Sequence, residues 1–423
     1  MPTILCVGGD TRSDQDEVFL RATDKTDGRE VGKRLTVKNN RPGADQAVAH
    51  LVQLLTQHGY TRLEFGLEAT GLFWLPFYVY LQQSPSLTPF QPTWVCFNPK
   101  LVAKFKEGVT LSEIKDDDHD ALAVAERLRF GHLPVSYVPS SEWLALRMLT
   151  RYRYRLSRQI AQEKLRALTR VFLKASEWHR GQPFSDVWGA TSATLLTEFT
   201  TAEMAALSLT QLTDLVQEYG RKHFDDPQAT ARQVQRTLQN SFPVTPDLDA
   251  ALTVVLQVAW THIRDLEKLM RRLDREIAQR MERIPNPLLS VQGLGPVITA
   301  GISAEVADVH RFPADPQLAK FVGLVWRQHA SGQFVAEETR LAKTGNVYLR
   351  YYLIEGANLM RQHNLEYQAY YRRKYDEVPK HQHKRALVLT ARKLVRLVFA
   401  LLTKNQTYVR PQAVQSQEAA PVQ

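Results

Sequence analysis

The first quarter of the chain alternates strand-like runs with helical periodicity in an order that few folds accept. Residues 3–10, 17–20 and 34–37 are short apolar runs separated by turn-rich gaps, which suits an antiparallel meander. Residues 44–58 then place Ala47, Val48, Leu51, Leu54 and Leu55 at helical spacing, and Gly59 is a natural stop. Residues 62–67 alternate as a fourth strand, residues 72–81 form an aromatic-rich second helix, and residues 93–97 a fifth strand closed by Asn98-Pro99-Lys100. A further helix follows. Three strands, helix, strand, helix, strand, helix predicts an α/β domain whose mixed sheet carries helices on both faces.

Four carboxylates then fall in five positions at Asp116-Asp117-Asp118-His119-Asp120, just ahead of a helical segment without glycine or proline. If that helix already includes Asp117 and Asp120, their i,i+3 spacing puts both on one face, close enough to share a cation. Mg²⁺, a hard ion that takes oxygen ligands, suits such a pair. Taken alone, the run reads first as an acidic first turn favoured by the helix macrodipole, ahead of a cation site. Two earlier acids change that balance. Asp10 closes the first strand and Glu68 the fourth, and the predicted order brings these strands side by side. The order is that of an RNase H-like domain, and the Asp117/Asp120 pair returns on its last helix. Carboxylates so close repel one another unless cations neutralise them. Asp10, Glu68, Asp117 and Asp120 are therefore the expected two-metal site, with Asp116 and Asp118 facing solvent.

With 423 residues, the chain is expected to hold two or three domains. Lysine and arginine outnumber acids 54 to 44, which points to a polyanionic partner, most simply nucleic acid. The two cysteines, Cys6 and Cys96, each lie in an apolar strand-like run. They are expected to be buried free thiols in a reducing cytosol, which excludes a disulfide framework and a Cys-based zinc site. No charged-then-apolar leader opens the sequence, and no apolar run reaches the roughly 18 residues of a membrane span. A soluble cytoplasmic protein with no membrane partner is expected.

Residues 134–139 read as a linker. From Ser140 to Arg180 the chain has neither glycine nor proline, which predicts one long helix. It carries a run of basic residues with Trp143, Tyr152, Tyr154 and Trp178 interleaved. Half of such a run is a solvated face, but the excess of arginine predicts phosphate contact along one side, with Arg151, Arg155 and Arg158 as candidates. Residues 181–244 are mixed and helical, with no readable chemistry. Between residues 247 and 284, Leu252, Leu256, Ala259, Ile263, Leu266, Met270, Leu273 and Ile277 keep the spacing of a heptad seam. Two pairings satisfy it: a coiled coil between two copies, or a hairpin with the helix that starts at Ser140.

Residues 288–296 resemble the turn of a helix-hairpin-helix, in which Gly293 and Gly295 offer backbone N–H groups to a phosphate. The bland alternative is a tight helical turn. Helical stretches follow at 300–306, 316–322 and 348–363, and residues 380–404 form a basic amphipathic helix. Residues 326–333 are a polar, turn-like stretch. Ser331, near Arg327, His329 and Lys343, is a candidate nucleophile toward a phosphodiester, although Ser-Gly pairs mostly mark turns. Residues 411–423 form a polar tail expected to be disordered.

Together these motifs resemble the DEDD transposases of insertion sequences that move with a non-coding guide, the bridge-RNA-guided recombinases, and their relatives the Piv-type DNA invertases. The resemblance spans nearly the whole chain. It is carried by Gly8-Gly9-Asp10, Leu67-Glu68-Ala69-Thr70-Gly71, Asn98-Pro99-Lys100 and Lys115-Asp116-Asp117-Asp118-His119-Asp120-Ala121 in the first half. In the second half it rests on Gly293-Leu294-Gly295-Pro296, Arg311-Phe312-Pro313, Gln328-His329-Ala330-Ser331-Gly332 and Lys343-Thr344-Gly345-Asn346.

The resemblance implies a RuvC-like DEDD metal-binding domain at 1–135 and a helical linker with basic helix and coiled coil at 136–285. A mainly helical C-terminal transposase domain follows at 286–410, then the tail at 411–423. It implies that Asp10, Glu68, Asp117 and Asp120 bind two Mg²⁺ ions, with Mn²⁺ as a substitute. Ser331 becomes the nucleophile, held after attack as a 5′-phosphoserine, in a composite site shared across a homodimer or homotetramer. The implied partners are donor and target DNA and a guide (bridge) RNA whose base pairing supplies the sequence choice. The protein then needs mainly backbone and shape contacts, to which Arg327, His329 and Lys343 are candidates. Asp116 departs from the family's usual threonine and adds a carboxylate beside the cluster. Two other functions compete. A metal-dependent Holliday-junction-type nuclease needs the four acids and not Ser331, and a nucleic-acid-binding protein without catalysis needs neither.

Overall fold

The computed structural model describes residues 3–12, 14, 16–109, 117–133, 137–220, 223–326, 330–331, 334–335, 341–342 and 344–409, with the backbone alone at 109, 117, 118, 330, 331, 334 and 335. The chain divides into two compact units, Met1–Val138 and Pro139–Gln423.

In the first unit, strands β1 (Ile4–Arg12), β2 (Glu17–Asp24), β3 (Leu35–Lys38), β4 (Arg62–Glu68) and β5 (Thr93–Phe97) form one sheet in the order β3-β2-β1-β4-β5. β1, β2 and β3 pair antiparallel, whereas β4 lies parallel to both β1 and β5. This is the expected meander within a mixed sheet. Helix α1 (Arg41–Gln57) starts at Asn40, whose side chain accepts from the Gly43 amide, and ends just before Gly59. It packs with α2 (Trp74–Gln82) on one face of the sheet, over Leu5, Val7, Leu63, Phe65 and Leu67. Because side chains alternate along a strand, Cys6, Val95 and Phe97 point to the opposite face. There they meet Val102 of α3 (Pro99–Val109) and Val124 and Leu128 of α4 (Asp117–Phe130). On that face a Cβ on Gly8 would stand 2.3 Å from the Ala125 nitrogen, so α4 lies directly on the backbone of β1.

The second unit is helical. Helix α5 (Ser141–Lys174) is followed by α6 (Trp178–Gly181), α7 (Ala190–Glu198), α8 (Thr201–Ala206), α9 (Leu209–Gly220), α10 (Pro227–Gln239) and the long α11 (Pro246–Met281). α5 and α11 run antiparallel. Leu146 meets Ile277 and Met281, Leu156 and Ile160 meet Ile263 and Leu266, and Ala167 and Val171 share a core with Leu256 and Ala259. The heptad seam is thus covered by α5 of the same chain, the hairpin rather than the two-copy coiled coil.

The long helix also ends earlier than the run without glycine or proline suggests, with Ala175 extended at φ −145°. The cause is tertiary. Trp178 is buried and its Nε1 donates to Ser192 Oγ at 3.0 Å, while the Glu177 amide is held by Ser241 Oγ at 3.1 Å.

The remaining elements are α12 (Pro296–Val306), α13 (Asp315–Val322), a two-stranded hairpin of β6 (Ala330–Ser331) and β7 (Phe334–Val335), α14 (Val347–His363), α15 (Leu365–Asp376) and α16 (Gln382–Lys404). They close around a core that includes Ile302, Leu318, Tyr352, Leu353 and Leu394. The hairpin replaces the turn-like stretch expected from sequence, because strands of two residues carry no readable alternation. Among the described residues, no helix is long and apolar enough to cross a membrane.

Candidate functional site

The last pair between β1 and β4 is Gly9 with Leu67. Asp10 and Glu68 therefore stand one step further along two adjacent parallel strands. They follow Gly8 and Gly66 by two residues, so both fall on the face that α4 covers. Asp10 is buried, and Glu68 Oε1 accepts from Thr70 Oγ1 at 2.6 Å. Helix α4 runs back over this face. Its second turn lies over Gly8, while Arg129 near its C-terminus reaches Gly28, close to the start of β1. The first turn, with Asp117 and Asp120, accordingly lies toward the Asp10 end of the strand.

Asp120 forms an ion pair there with Lys106 of α3. The structure thus sets Asp10 and Glu68 side by side on adjacent strands, while Asp120 is engaged by Lys106. The side chain of Asp117 and all of Asp116 lie outside the described residues. Among the described residues, no group of three or more His, Cys, Asp or Glu side chains stands close enough to hold a metal ion. The donor chemistry, carboxylate oxygens alone, is of the kind a hard cation such as Mg²⁺ takes.

The basic run of α5 divides in two. Arg151 is turned inward, a correction to its expected place on an open basic face. Its Nε and Nη2 donate to the two carboxylate oxygens of Glu305 at 2.6 and 2.9 Å, and its guanidinium lies 4.6 Å from the Tyr348 ring centroid. Glu305, 1% exposed, also accepts from Asn346 Nδ2 at 2.7 Å. Asn346 in turn caps α14, its Oδ1 accepting from the amides of Tyr348 and Leu349. Arg153 pairs with Asp274, and Lys164 with Glu267 at 3.0 Å, so these cations fasten α5 to α11. Arg155 and Arg158 are exposed, and neither makes an ion pair among the described residues. Glu305 and Lys106 were missed in sequence. Glu305 had a signal, since it is the one charged residue of α12.

Gly293 has φ +97°, and a Cβ there would stand 3.0 Å from the Met360 Cα, so its glycine serves packing under α14. Gly295 is exposed at the N-cap of α12, with open space around it. The Ser331 backbone pairs with Phe334 in the small hairpin. The feet of this segment are fixed, with Trp326 bridged to Leu341, the Ala342 amide donating to Val325 O at 2.8 Å, and the Asn346 amide donating to Phe321 O at 2.7 Å. The Ser331 side chain and residues Arg327, His329 and Lys343 lie outside the described residues.

Residues 286–372 match the model of the Transposase IS116/IS110/IS902 family, and residues 16–173 match a transposase model of the IS110 DEDD type. The chain is 33% identical over 158 residues to the transposase for insertion sequence element IS1111A of Coxiella burnetii, covering 34% of this chain and 39% of that protein. It is 34% identical over 113 residues to a probable family 20 transposase of Pseudomonas aeruginosa, covering 26% of this chain and 33% of that protein. The aligned part thus spans well under half of either relative's length. The two family models fall on separate stretches, the IS116/IS110/IS902 model taking in Gly293 to Asn346 and the DEDD model Glu68 to Asp120. By those matches both stretches of the chain are similar to transposases of the IS110/IS116 family.

Proposed function

We propose that the chain is a DNA transposase of an insertion sequence that cuts and exchanges strands at a composite site, with Asp10, Glu68, Asp117 and Asp120 holding Mg²⁺ and Ser331 attacking the DNA. The observation that carries this reading is the register that sets Asp10 beside Glu68 on parallel strands, with α4, which begins at Asp117, seated on the backbone of β1 at Gly8. The sheet order supports an RNase H-like, RuvC-type assignment for residues 1–135, ahead of the helical middle at 136–285 and the serine-bearing domain at 286–410.

Two Mg²⁺ ions bound by the acids, or Mn²⁺ in their place, supply neutralisation of charge on the scissile phosphate. The protein's own part is nucleophilic. The Ser331 hydroxyl oxygen bonds to phosphorus, its proton is lost, and the bond to the 3′ oxygen breaks. The 3′ oxygen leaves as a hydroxyl and the 5′ phosphate stays on serine, so that the strand can be rejoined. Arg327, His329 and Lys343 hold the phosphate in this reading. Donor and target DNA are the substrates, and a guide RNA selects them by base pairing, which suits a basic chain with no evident base-reading helix. A homodimer or homotetramer brings acids and serine of different copies together.

A denaturing gel tests the proposal, using the full chain, Mg²⁺, both DNAs and RNA transcribed from the flanking sequence. A covalent protein–DNA adduct that requires RNA and metal and disappears in Ser331→Ala is the expected result. Cleavage without an adduct, unchanged in Ser331→Ala, would establish the junction nuclease instead.

A further inference from the structure

The corner where α15 passes into α16 carries charge that the internal packing does not use. Arg372, Arg373, Lys380 and Lys384 are exposed, and none makes an ion pair among the described residues. Of the two acids at this corner, Glu377 is already held by Lys374 at 2.5 Å and Arg385 at 3.0 Å, leaving Asp376 as the other carboxylate. The corner is also stiff. The Tyr371 hydroxyl meets His383 Nδ1 at 2.7 Å, and Arg385 Nη1 donates to the Lys374 carbonyl at 3.1 Å, which ties α15 to the start of α16. Three of the aromatic rings of α15, Tyr367, Tyr370 and Tyr371, face cations. Arg361 lies 4.9 Å from the Tyr371 centroid, and Arg373 and Lys393 lie 5.3 and 4.8 Å from that of Tyr370.

We propose that this corner is a docking surface for the phosphate backbone of double-stranded DNA. A single-stranded partner is held by bases stacked on free aromatic faces. Here the rings of Tyr367, Tyr370 and Tyr371 already face the protein's own cations, so the corner offers positive charge more than free stacking surface. Exposed guanidinium and ammonium groups with no ion-pair partner among the described residues suit the evenly spaced charges of a duplex backbone, and such contact positions DNA without reading sequence. The proposal rests on the DNA-acting function above and adds to it where the duplex lies.

The test is the salt dependence of binding by the full chain to a labelled duplex of arbitrary sequence. Each lost phosphate contact lowers the slope of log K against log salt by about 0.9. The variant Arg372→Ala/Arg373→Ala/Lys384→Ala is expected to lower it by about 2 to 3, equally on unrelated sequences, with its melting temperature kept. An unchanged slope in this variant, with a reduced slope in Arg155→Ala/Arg158→Ala, overturns the corner and leaves the DNA-acting function standing. Loss of binding to a structured RNA alone, with duplex DNA unaffected, also overturns it. A parent chain that binds no duplex DNA removes both the corner and the function it rests on.

Discussion

A Cβ on Gly8 would stand 2.2 Å from the carbonyl oxygen of Ala121, so α4 touches the backbone of β1 two residues before Asp10. The contact sets how far the acids of the first turn of α4 stand from the strand acids. Gly8→Ala has no flexible neighbour to push aside, only helix backbone, and α4 must lift. The expected cost is about 1–3 kcal/mol or more in unfolding free energy, the range for overpacking. Strand cleavage is expected to fall further than that loss explains when assayed well below the melting temperature. Parental stability and cleavage in Gly8→Ala would mean that α4 does not rest there.

This geometry shows why part of the site was legible beforehand. Asp10 and Glu68 each close an apolar strand run, and the succession of elements put those strands side by side before any coordinates. The end of α1 was legible at Gly59, whereas its start came three residues earlier than the apolar spacing from Ala44 suggested, because Asn40 caps it. What could not be read depends on partners distant in sequence. Nothing around Arg151 announces Glu305, which lies on another helix and draws the guanidinium inward. The helix end at Lys174 is set by the burial of Trp178 against Ser192. The seam of α11 was plain as periodicity, but a periodicity names no partner, and α5 proved to be it.

Asp10→Asn keeps shape and removes one of two neighbouring carboxylate charges. If both ionise side by side, the substitution relieves repulsion, so the melting temperature of the unliganded protein is expected to hold or rise. DNA cleavage in Mg²⁺ is expected to drop on the order of a hundredfold or more, the scale of losing one stabiliser of transition-state charge. Calorimetry and the adduct gel together check this. A variant that is less stable and still cuts would make Asp10 a structural acid.

Glu305 gathers Arg151 and Asn346 onto one buried carboxylate, so its removal strands a half-buried guanidinium. Glu305→Ala is expected to cost about 3–5 kcal/mol, the range for breaking a buried pair from one side. With Glu305 already gone, Arg151→Ala should cost far less than it does in the parent, which a double-mutant cycle by urea unfolding measures. Additive costs would show that the pair does not hold α5 to α12.

Lys174 is fully buried, and its Nζ donates to the carbonyls of Leu196 and Phe199 at 2.8 and 2.6 Å and to Thr253 Oγ1 at 2.6 Å. Burial pushes its pKa down to about 8, although the Asp249 carboxylate, 3.8 Å away, pulls the other way. In the unfolded chain the group titrates near 10.4. Between these values the unfolded state binds more protons than the folded one, so this group's contribution to unfolding free energy rises with pH. Below pH 8 both states are protonated and the cost of the buried charge is fully present. Lys174→Met abolishes that titration. The stability of the parent relative to Lys174→Met is therefore expected to increase by a few kcal/mol from about pH 8 to about pH 10, as measured by urea unfolding across that range. A difference that stays flat would show that the three oxygen acceptors keep the ammonium charged throughout, and that the lysine anchors the end of α5 as a cation.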